Sequence, residues 1–167
     1  MKRKTTDDNI LLQFISEVIC KHGKPDLMIL DKTGLGSFLP SRFQSKWPDI
    51  LFRGINFAEA SNYEAYANKR AEMYFNLRDC IRKGMIVTDG IDKDILNQLE
   101  EELFAQEFTV NTQRKIILTK KEDAKSKLGR SCDISDSVAL ATMVIKGLSG
   151  EKIREGLEEM KRKARKK

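Results

Sequence analysis

A chain of 167 residues with 40% hydrophobic and 34% charged residues is typical of one globular domain with a strongly charged surface. It has no apolar run of the roughly 18 residues that a membrane span needs and no signal-peptide pattern, so we expect an intracellular protein without membrane contact. The net charge of +6 is compatible with a polyanionic partner, although much of the excess lies after residue 160.

The number and spacing of the cysteines and histidines exclude several kinds of functional site. Cys20, Cys80 and Cys132 are widely spaced and form no C-x-x-C pair, so neither a disulfide framework nor a structural zinc site is indicated. We expect reduced and mostly buried thiols. His22 is the only histidine, which excludes His-based catalytic triads and metal sites with several histidines. Its place before Gly23 is typical of a helix end, where a cationic side chain suits the helix dipole.

The hydrophobic pattern alternates between helical and extended periodicity along the chain. This order predicts an α/β domain with parallel strands and crossover helices. The predicted strands are 27–31, 50–57 and 85–87, with a β-hairpin formed by 108–110 and 115–118. The first predicted helix follows a capping segment at 5–8 and ends at 22. The other predicted helices are 35–46, 64–83, 92–103, one that begins at 133, and a charged one after 150.

An aspartate ends the most apolar of these strands. Residues 27–30 form a continuous apolar run, which is typical of a central strand covered on both faces, and Asp31 follows directly. In an open α/β sheet the functional crevice lies at the carboxyl ends of the strands. Asp31 is therefore a candidate site residue, with a solvated carboxylate or a helix N-cap as the alternative.

Two further acids, Asp133 and Asp136, lie three residues apart at a predicted helix start. They are compatible with ordinary acidic residues at the positive end of a helix. The small residues Ser135, Ser137 and Ala139 favour instead a helix that packs closely against a sheet, with Asp136 over a strand end. Carboxylates on a strand end and on a helix can together hold Mg²⁺ or Mn²⁺ for phosphodiester hydrolysis. Both interpretations stay open on these residues alone.

Four segments of the chain resemble one known family. They are 24–36 (KPDLMILDKTGLG), 55–57 (INF), 66–73 (YANKRAEM) and 128–140 (LGRSCDISDSVAL). In order and spacing they resemble the C-terminal nuclease domain of the large terminase subunit of tailed bacteriophages, from about residue 9 to residue 143. Cys132 stands where the family usually has Pro, and Ser135 and Ser137 stand where it usually has Ala. These changes keep the residues small.

The resemblance implies an RNase H-like α/β fold, with a central sheet flanked by helices on both faces. It also implies a metal-dependent endonuclease that cuts concatemeric double-stranded DNA during genome packaging, in the cytoplasm of the bacterial host. Asp31 takes the second of the family's three acidic positions and Asp136 the third, so both are expected to be catalytic and to bind Mg²⁺ or Mn²⁺. Asp133 is expected to assist as a nearby catalytic acid.

The family's first acidic position has no counterpart here. It belongs on a strand before the first helix, whereas Asp7 and Asp8 lie in a capping segment, and the chain has no Gly-rich phosphate loop of the ATPase motor. We therefore expect an N-terminally truncated terminase fragment, such as a prophage remnant. Its nuclease domain would be 1–147, followed by a charged C-terminal helix or tail at 148–167. Weak or absent cleavage and self-association through an exposed sheet edge are expected.

Basic side chains supply candidate contacts with DNA, each of which could also be a solvated surface charge. They are Lys120, Lys121, Lys125, Lys127, Arg130, Lys69, Arg70 and Lys32. Three functions stay open: an endonuclease, a non-catalytic DNA-binding remnant, and a module that docks on other terminase or portal components. Metal-dependent cleavage would select the first, and salt-dependent DNA binding without cleavage would select the second.

Overall fold

The structure is a computed structural model that describes residues 8–32, 39–143 and 162 of the chain. In these ranges the helices are α1 Asp8–His22, α2 Leu39–Lys46, α3 Lys69–Arg82, α4 Lys93–Phe104, α5 Lys121–Leu128 and α6 Asp133–Thr142. The strands are β1 Leu27–Asp31, β2 Leu51–Ile55, β3 Phe108–Val110 and β4 Ile116–Leu118. The chain divides into unit 1, residues 1–56 with 148–167, and unit 2, residues 57–147.

Unit 1 is built on a parallel pair of strands. β1 and β2 run in register from Leu27 beside Leu51 to Asp31 beside Ile55. Side chains of α1 and α2 pack on the face of this pair that carries Met28, Leu30 and Phe52. The buried members of the resulting cluster are Ile15, Phe43, Ile50 and Phe52, of which Phe43 and Ile50 are fully buried. The two apolar strands pair here because α1 and α2 cover the apolar side chains on this face of both strands.

Helix α3 is the centre of unit 2. It packs against α6, which also contacts α4, and the antiparallel hairpin β3–β4 contacts α3 through β4. Asn68 caps α3, since its side-chain oxygen accepts a hydrogen bond from the Ala71 amide at 2.9 Å. Met73 and Leu77 of α3 and Ala139 of α6 are buried. Most of α3 is buried, and its buried residues include apolar and polar side chains on nearly every side of the helix.

The mixed α/β class and most predicted elements are confirmed, with three corrections. The long helix begins at Lys69 instead of near residue 64, because Asn68 caps it and Tyr66 forms a bridge with Ile116. Residues 85–87 are irregular instead of a strand, and the side chain of Val87 is 73% exposed. Helix α5 was not predicted, because its sequence carries a single buried residue and no apolar period.

Three predicted features lie outside the described residues: the capping residues 5–7, the helix start at 35–38, and the charged segment at 148–167 except residue 162. The division into 1–147 and 148–167 therefore stays a prediction. Of the cysteines, Cys80 and Cys132 are buried, Cys20 is exposed and all are free thiols, as predicted. Within the described ranges, no helix has the length and apolarity that crossing a membrane requires.

Candidate functional site

Asp136 is a buried carboxylate in the first turn of α6. Its residue is 6% exposed, and its Oδ1 atom accepts a hydrogen bond from the Tyr74 hydroxyl at 2.8 Å. Tyr74 comes from α3, so two helices that pack together fix this oxygen. A buried carboxylate is costly unless other groups compensate its charge and hydrogen-bonding capacity. The partners of the second oxygen therefore decide what the site can bind.

The second oxygen of Asp136 contacts a cation. Oδ2 lies 2.5 Å from the Nζ atom of Lys121, the first residue of α5, and it has no well-directed hydrogen bond among the described residues. The contact is thus an ion pair between a carboxylate side chain that is 8% exposed and a lysine side chain that is 42% exposed. The Lys121 ammonium also lies 5.5 Å from the centre of the Phe57 ring. This arrangement shows that the buried oxygen faces a position suited to positive charge.

The Tyr74 phenol acts as a neutral donor in this site. Burial, and then the adjacent Asp136 carboxylate, raise its pKa far above the usual value, so it keeps its proton. Its oxygen also lies 2.9 Å from the hydroxyl of Ser135, the neighbour of Asp136 in sequence. The Arg70 guanidinium lies 5.5 Å from the centre of the Tyr74 ring. The phenol therefore has defined neighbours on its hydroxyl and on its face.

A carboxylate from another helix holds the start of α6. Cys132 occupies the N-cap position and its side chain makes no capping hydrogen bond. Glu102 of α4 is 1% exposed and accepts a hydrogen bond from the Ser135 amide at 2.7 Å, while its other oxygen pairs with Arg130. Burial raises the pKa of the Cys132 thiol, which leaves it neutral. The first turn of α6 is thus fixed by tertiary contacts.

The other predicted acids lie on different elements. Asp133 is the first residue of α6 and is partly buried, and its carbonyl accepts a hydrogen bond from the Ser137 hydroxyl at 2.7 Å. Asp31 is the last residue of β1 and is also partly buried. The next amide, of Lys32, donates to the Ile55 carbonyl at 3.0 Å. Asp133 and Asp136 therefore share unit 2, whereas Asp31 belongs to unit 1.

Lys32 follows β1 in unit 1, and the other predicted DNA-contacting residues fall into two groups in unit 2. Lys69, Arg70 and Arg130 make contacts inside unit 2: Lys69 pairs with Glu72 at 2.9 Å, and Arg70 donates to the Thr119 carbonyl at 2.8 Å. These contacts indicate a structural role for the three residues. The second group lies on α5 or beside it and is more exposed. It consists of Lys120, Lys121, Lys125 and Lys127, of which Lys127 pairs with Glu107.

Three residues of the site were not predicted as functional: Tyr74, Ser135 and Glu102. Tyr74 lies within the predicted helix 64–83 and is buried, but its place in the sequence does not reveal its hydroxyl contact. Ser135 was noted only for its size. Glu102 is one of three consecutive glutamates, and its sequence context does not distinguish the buried one from its neighbours. Only the packing of α4 against α6 identifies it.

The described residues offer few ligands for a divalent metal ion. The described residues contain no group of three or more His, Cys, Asp or Glu side chains placed to hold one. The Asp136 Oδ2 atom nevertheless fits such an ion, because it is a buried oxygen that contacts a cation and lacks a directed hydrogen bond. Hard cations such as Mg²⁺ and Mn²⁺ prefer carboxylate oxygens. This oxygen is therefore a suitable single ligand.

The fold is similar to that of the nuclease domain of a large terminase subunit. The nuclease domain of the large terminase subunit gp2 of bacterial virus Sf6 matches with a TM-score of 0.62 and 20% identity, over 77% of this chain and 69% of that one. A lysine-to-alanine mutant of that domain, solved with manganese and beta-thujaplicinol, matches with a TM-score of 0.63 and 19% identity, over 77% and 69% of the two chains. The same domain solved with calcium gives 0.62 and 20%.

At this level of identity the similarity shows the fold. It confirms the RNase H-like α/β class that the sequence resemblance implied. No protein-family model matches the sequence, and no curated protein matches it. The manganese and calcium ions belong to the structures of the Sf6 protein.

Proposed function

We propose that this chain is a divalent-metal-dependent endonuclease domain of the terminase type, which cleaves double-stranded phage DNA during packaging in the bacterial cytoplasm. The fold similarity supports the class of protein, and the Asp136 carboxylate supports the chemistry. The observation that carries the proposal is the buried Oδ2 atom of Asp136, which lies 2.5 Å from a lysine ammonium and receives no directed hydrogen bond from any residue that the structure describes. Such an oxygen is suited to bind a metal cation.

Asp136 and Asp31 are the proposed ligands of Mg²⁺ or Mn²⁺, with Asp133 as an assisting acid. Asp136 is supported by its geometry, and Asp31 by its place at the carboxyl end of the parallel strand β1. When bound, the metal would activate water and stabilise the negative charge that develops on the phosphate. Oxygen ligands of this kind suit either ion, so Mg²⁺ and Mn²⁺ are both tested.

The chain's own residues have separate duties in this proposal. Tyr74 holds one oxygen of Asp136 by its hydroxyl, which leaves the other oxygen to face a cation. Lys121 supplies a positive charge at the same carboxylate, on a side chain exposed enough to reach solvent or a phosphate. Packing of α3 against α6 excludes water from Asp136 on the protein side, which strengthens electrostatic interactions there.

DNA would contact the exposed lysines of the α5 region. Lys120 and Lys125 are exposed, and Lys121 links this surface to Asp136. Lysines bind phosphates without reading base sequence, so we expect affinity that falls steeply with salt and shows little sequence preference. Other terminase or portal components, and a second copy of the chain, are further candidate partners.

A plasmid-nicking assay with Mn²⁺ and with Mg²⁺ tests the proposal. We expect weak cleavage by the unmodified chain, and a further loss of at least about a hundredfold in rate for Asp136→Asn and for Asp31→Asn, since each removes a metal ligand. Asp94→Asn, at an exposed position on α4, is the matched control and should cleave normally. Equal cleavage by the unmodified chain and Asp136→Asn would contradict the proposed site.

A non-catalytic DNA-binding protein of the same fold is the second candidate. It is favoured by the lack of a group of three metal-ligating side chains among the described residues. This alternative predicts a folded chain that shifts DNA in a gel at low salt and does not cut it with either metal. Its affinity would drop in Lys120→Ala and Lys125→Ala but not in Asp136→Asn.

A further inference from the structure

The contact between Glu102 and the start of α6 is the most fully buried charged contact in unit 2. Glu102 is 1% exposed, and both of its oxygens have partners: one accepts from the Ser135 amide at 2.7 Å and the other pairs with Arg130. Arg130 also pairs with the exposed Glu101 at 2.9 Å. The two neighbouring glutamates therefore share one arginine, but only Glu102 touches α6.

The contact replaces a cap that α6 lacks. The first amides of a helix have no partner within the helix, and a polar N-cap side chain usually supplies one. Cys132 does not, so the Ser135 amide donates to Glu102 of α4. A charged acceptor makes this hydrogen bond stronger than a neutral one, and its charge is favourable at the positive end of the helix.

Two paths connect this contact with Asp136. The first is the backbone, because Ser135 and Asp136 are consecutive. The second is a series of hydrogen bonds, since the Ser135 hydroxyl lies 2.9 Å from the Tyr74 hydroxyl, which donates to Asp136 Oδ1 at 2.8 Å. A shift of the first turn of α6 therefore moves the carboxylate and disturbs its hydrogen-bond donor together.

We propose that Glu102 is a positioning residue, which fixes the first turn of α6 and so sets where the Asp136 carboxylate meets a divalent cation. The proposal rests on the proposed function, because it takes Asp136 to be a metal ligand. Residues that orient metal ligands from outside commonly change metal affinity about ten- to a hundredfold when they are replaced. Glu102 is in the position to have such an effect although it never touches the metal.

Binding of Mn²⁺ to the full chain, measured by calorimetry without DNA, tests the proposal. Glu102→Gln keeps the shape but places an amide NH₂ against one of two donors, Arg130 or the Ser135 amide. We expect its Mn²⁺ affinity to fall about tenfold or more. Glu101→Gln removes a carboxylate from the same arginine without touching α6, and its affinity should stay within about twofold of the unmodified chain.

A second control separates positioning from loss of stability. Thr142→Val alters a buried hydroxyl at the far end of α6, where it donates to the Ala139 carbonyl at 2.7 Å. It should lower stability and leave Mn²⁺ affinity unchanged. If Glu102→Gln does not fold, Arg130→Lys is the second variant. It keeps the positive charge but loses the guanidinium that contacts Glu101 and Glu102 through separate nitrogens, and it should weaken Mn²⁺ binding several-fold.

The outcomes distinguish the two proposals. If Asp136→Asn binds Mn²⁺ as well as the unmodified chain does, the proposed metal site is wrong. If Asp136→Asn loses binding while Glu102→Gln behaves like Glu101→Gln, the site stands and the positioning role of Glu102 is overturned. A loss of affinity in Thr142→Val equal to that in Glu102→Gln would also overturn it, because any damage to α6 would then suffice.

Discussion

The two units have cores of different composition. In unit 1 the buried cluster consists of Ile15, Phe43, Ile50 and Phe52, with Met28, Leu30 and Trp47 packed against it. Unit 2 buries apolar side chains too, but its buried residues also include seven polar or charged ones. These are Arg70, Glu72, Asn76, Glu102, Ser135, Asp136 and Thr142. The hydrophobic effect is nondirectional, whereas buried polar groups require specific partners, so the buried polar side chains of unit 2 depend on particular hydrogen bonds and ion pairs.

The largest effect is expected in the apolar core of unit 1. Phe43 is fully buried and its ring centre lies 5.6 Å from that of Phe52. Phe43→Ala should lower the free energy of unfolding by about 3–5 kcal/mol, because it removes buried area and leaves a cavity. Urea unfolding followed by circular dichroism measures this loss. Phe104→Ala is the control: Phe104 is 80% exposed, and its variant should stay within about 0.5 kcal/mol of the unmodified chain.

The buried ion pair between Lys69 and Glu72 of α3 tests whether removing one partner of a buried polar pair in unit 2 costs more stability than removing both. Glu72 accepts hydrogen bonds from Lys69 and from the Ser61 hydroxyl, both at 2.9 Å, and its side chain is 4% exposed. Glu72→Ala should cost about 3 kcal/mol, since it leaves a mostly buried lysine unpaired. Glu72→Met combined with Lys69→Met should recover most of that loss in urea unfolding. A double variant as unstable as Glu72→Ala would show that the pair itself is the stabilising element.

The Tyr74 phenol should make stability fall at high pH. Its pKa is raised above the ordinary value of 10.0 in the folded chain, so above that pH the unfolded chain has lost a proton that the folded chain retains. Tyr74 therefore stabilises the fold fully below pH 10, and this contribution declines by about 1.4 kcal/mol per pH unit above it. Tyr74→Phe should remove that part of the slope in urea unfolding between pH 9 and 11. Equal slopes for the two chains would contradict the assignment.

The smallest effect concerns the helix cap at Asn68. Asn68→Ala should lower the free energy of unfolding by about 1 kcal/mol, because the Ala71 amide loses its acceptor. Asn68→Asp keeps an acceptor oxygen and should restore most of the stability. Thermal unfolding of the three chains compares them directly. If Asn68→Ala leaves the free energy of unfolding unchanged, the start of α3 is held by packing alone.

The strands of unit 1 could be predicted from the sequence because their information is local. The apolar runs at 27–30 and 50–52 predict strands without reference to the rest of the chain. Helix α5 could not be predicted, since only Ala124 of its eight residues is buried. The apolar residues 85–87 suggested a strand, but strand formation needs a pairing partner, and sequence pattern does not supply one.

The candidate site was predictable only in part for the same reason. Asp133 and Asp136 stood out by their spacing and by the resemblance, and the structure shows Asp136 buried with a cation. The contact of Glu102 with the Ser135 amide joins positions that are 33 residues apart, and no local pattern marks it. The internal contacts of Arg70 and Arg130 were hidden in the same way. Tertiary packing decides which charged side chains have a structural role.

This long-range cap also orders the folding of unit 2. A helix with its own N-cap side chain can begin from local sequence, whereas the first turn of α6 needs a carboxylate that arrives on α4. Closing a loop between distant positions costs chain entropy before the contact compensates for it, so such contacts form late. Asp136 therefore reaches its final place only after α4 and α6 have docked. A partly folded chain would carry Asp136 without the contacts that fix its carboxylate.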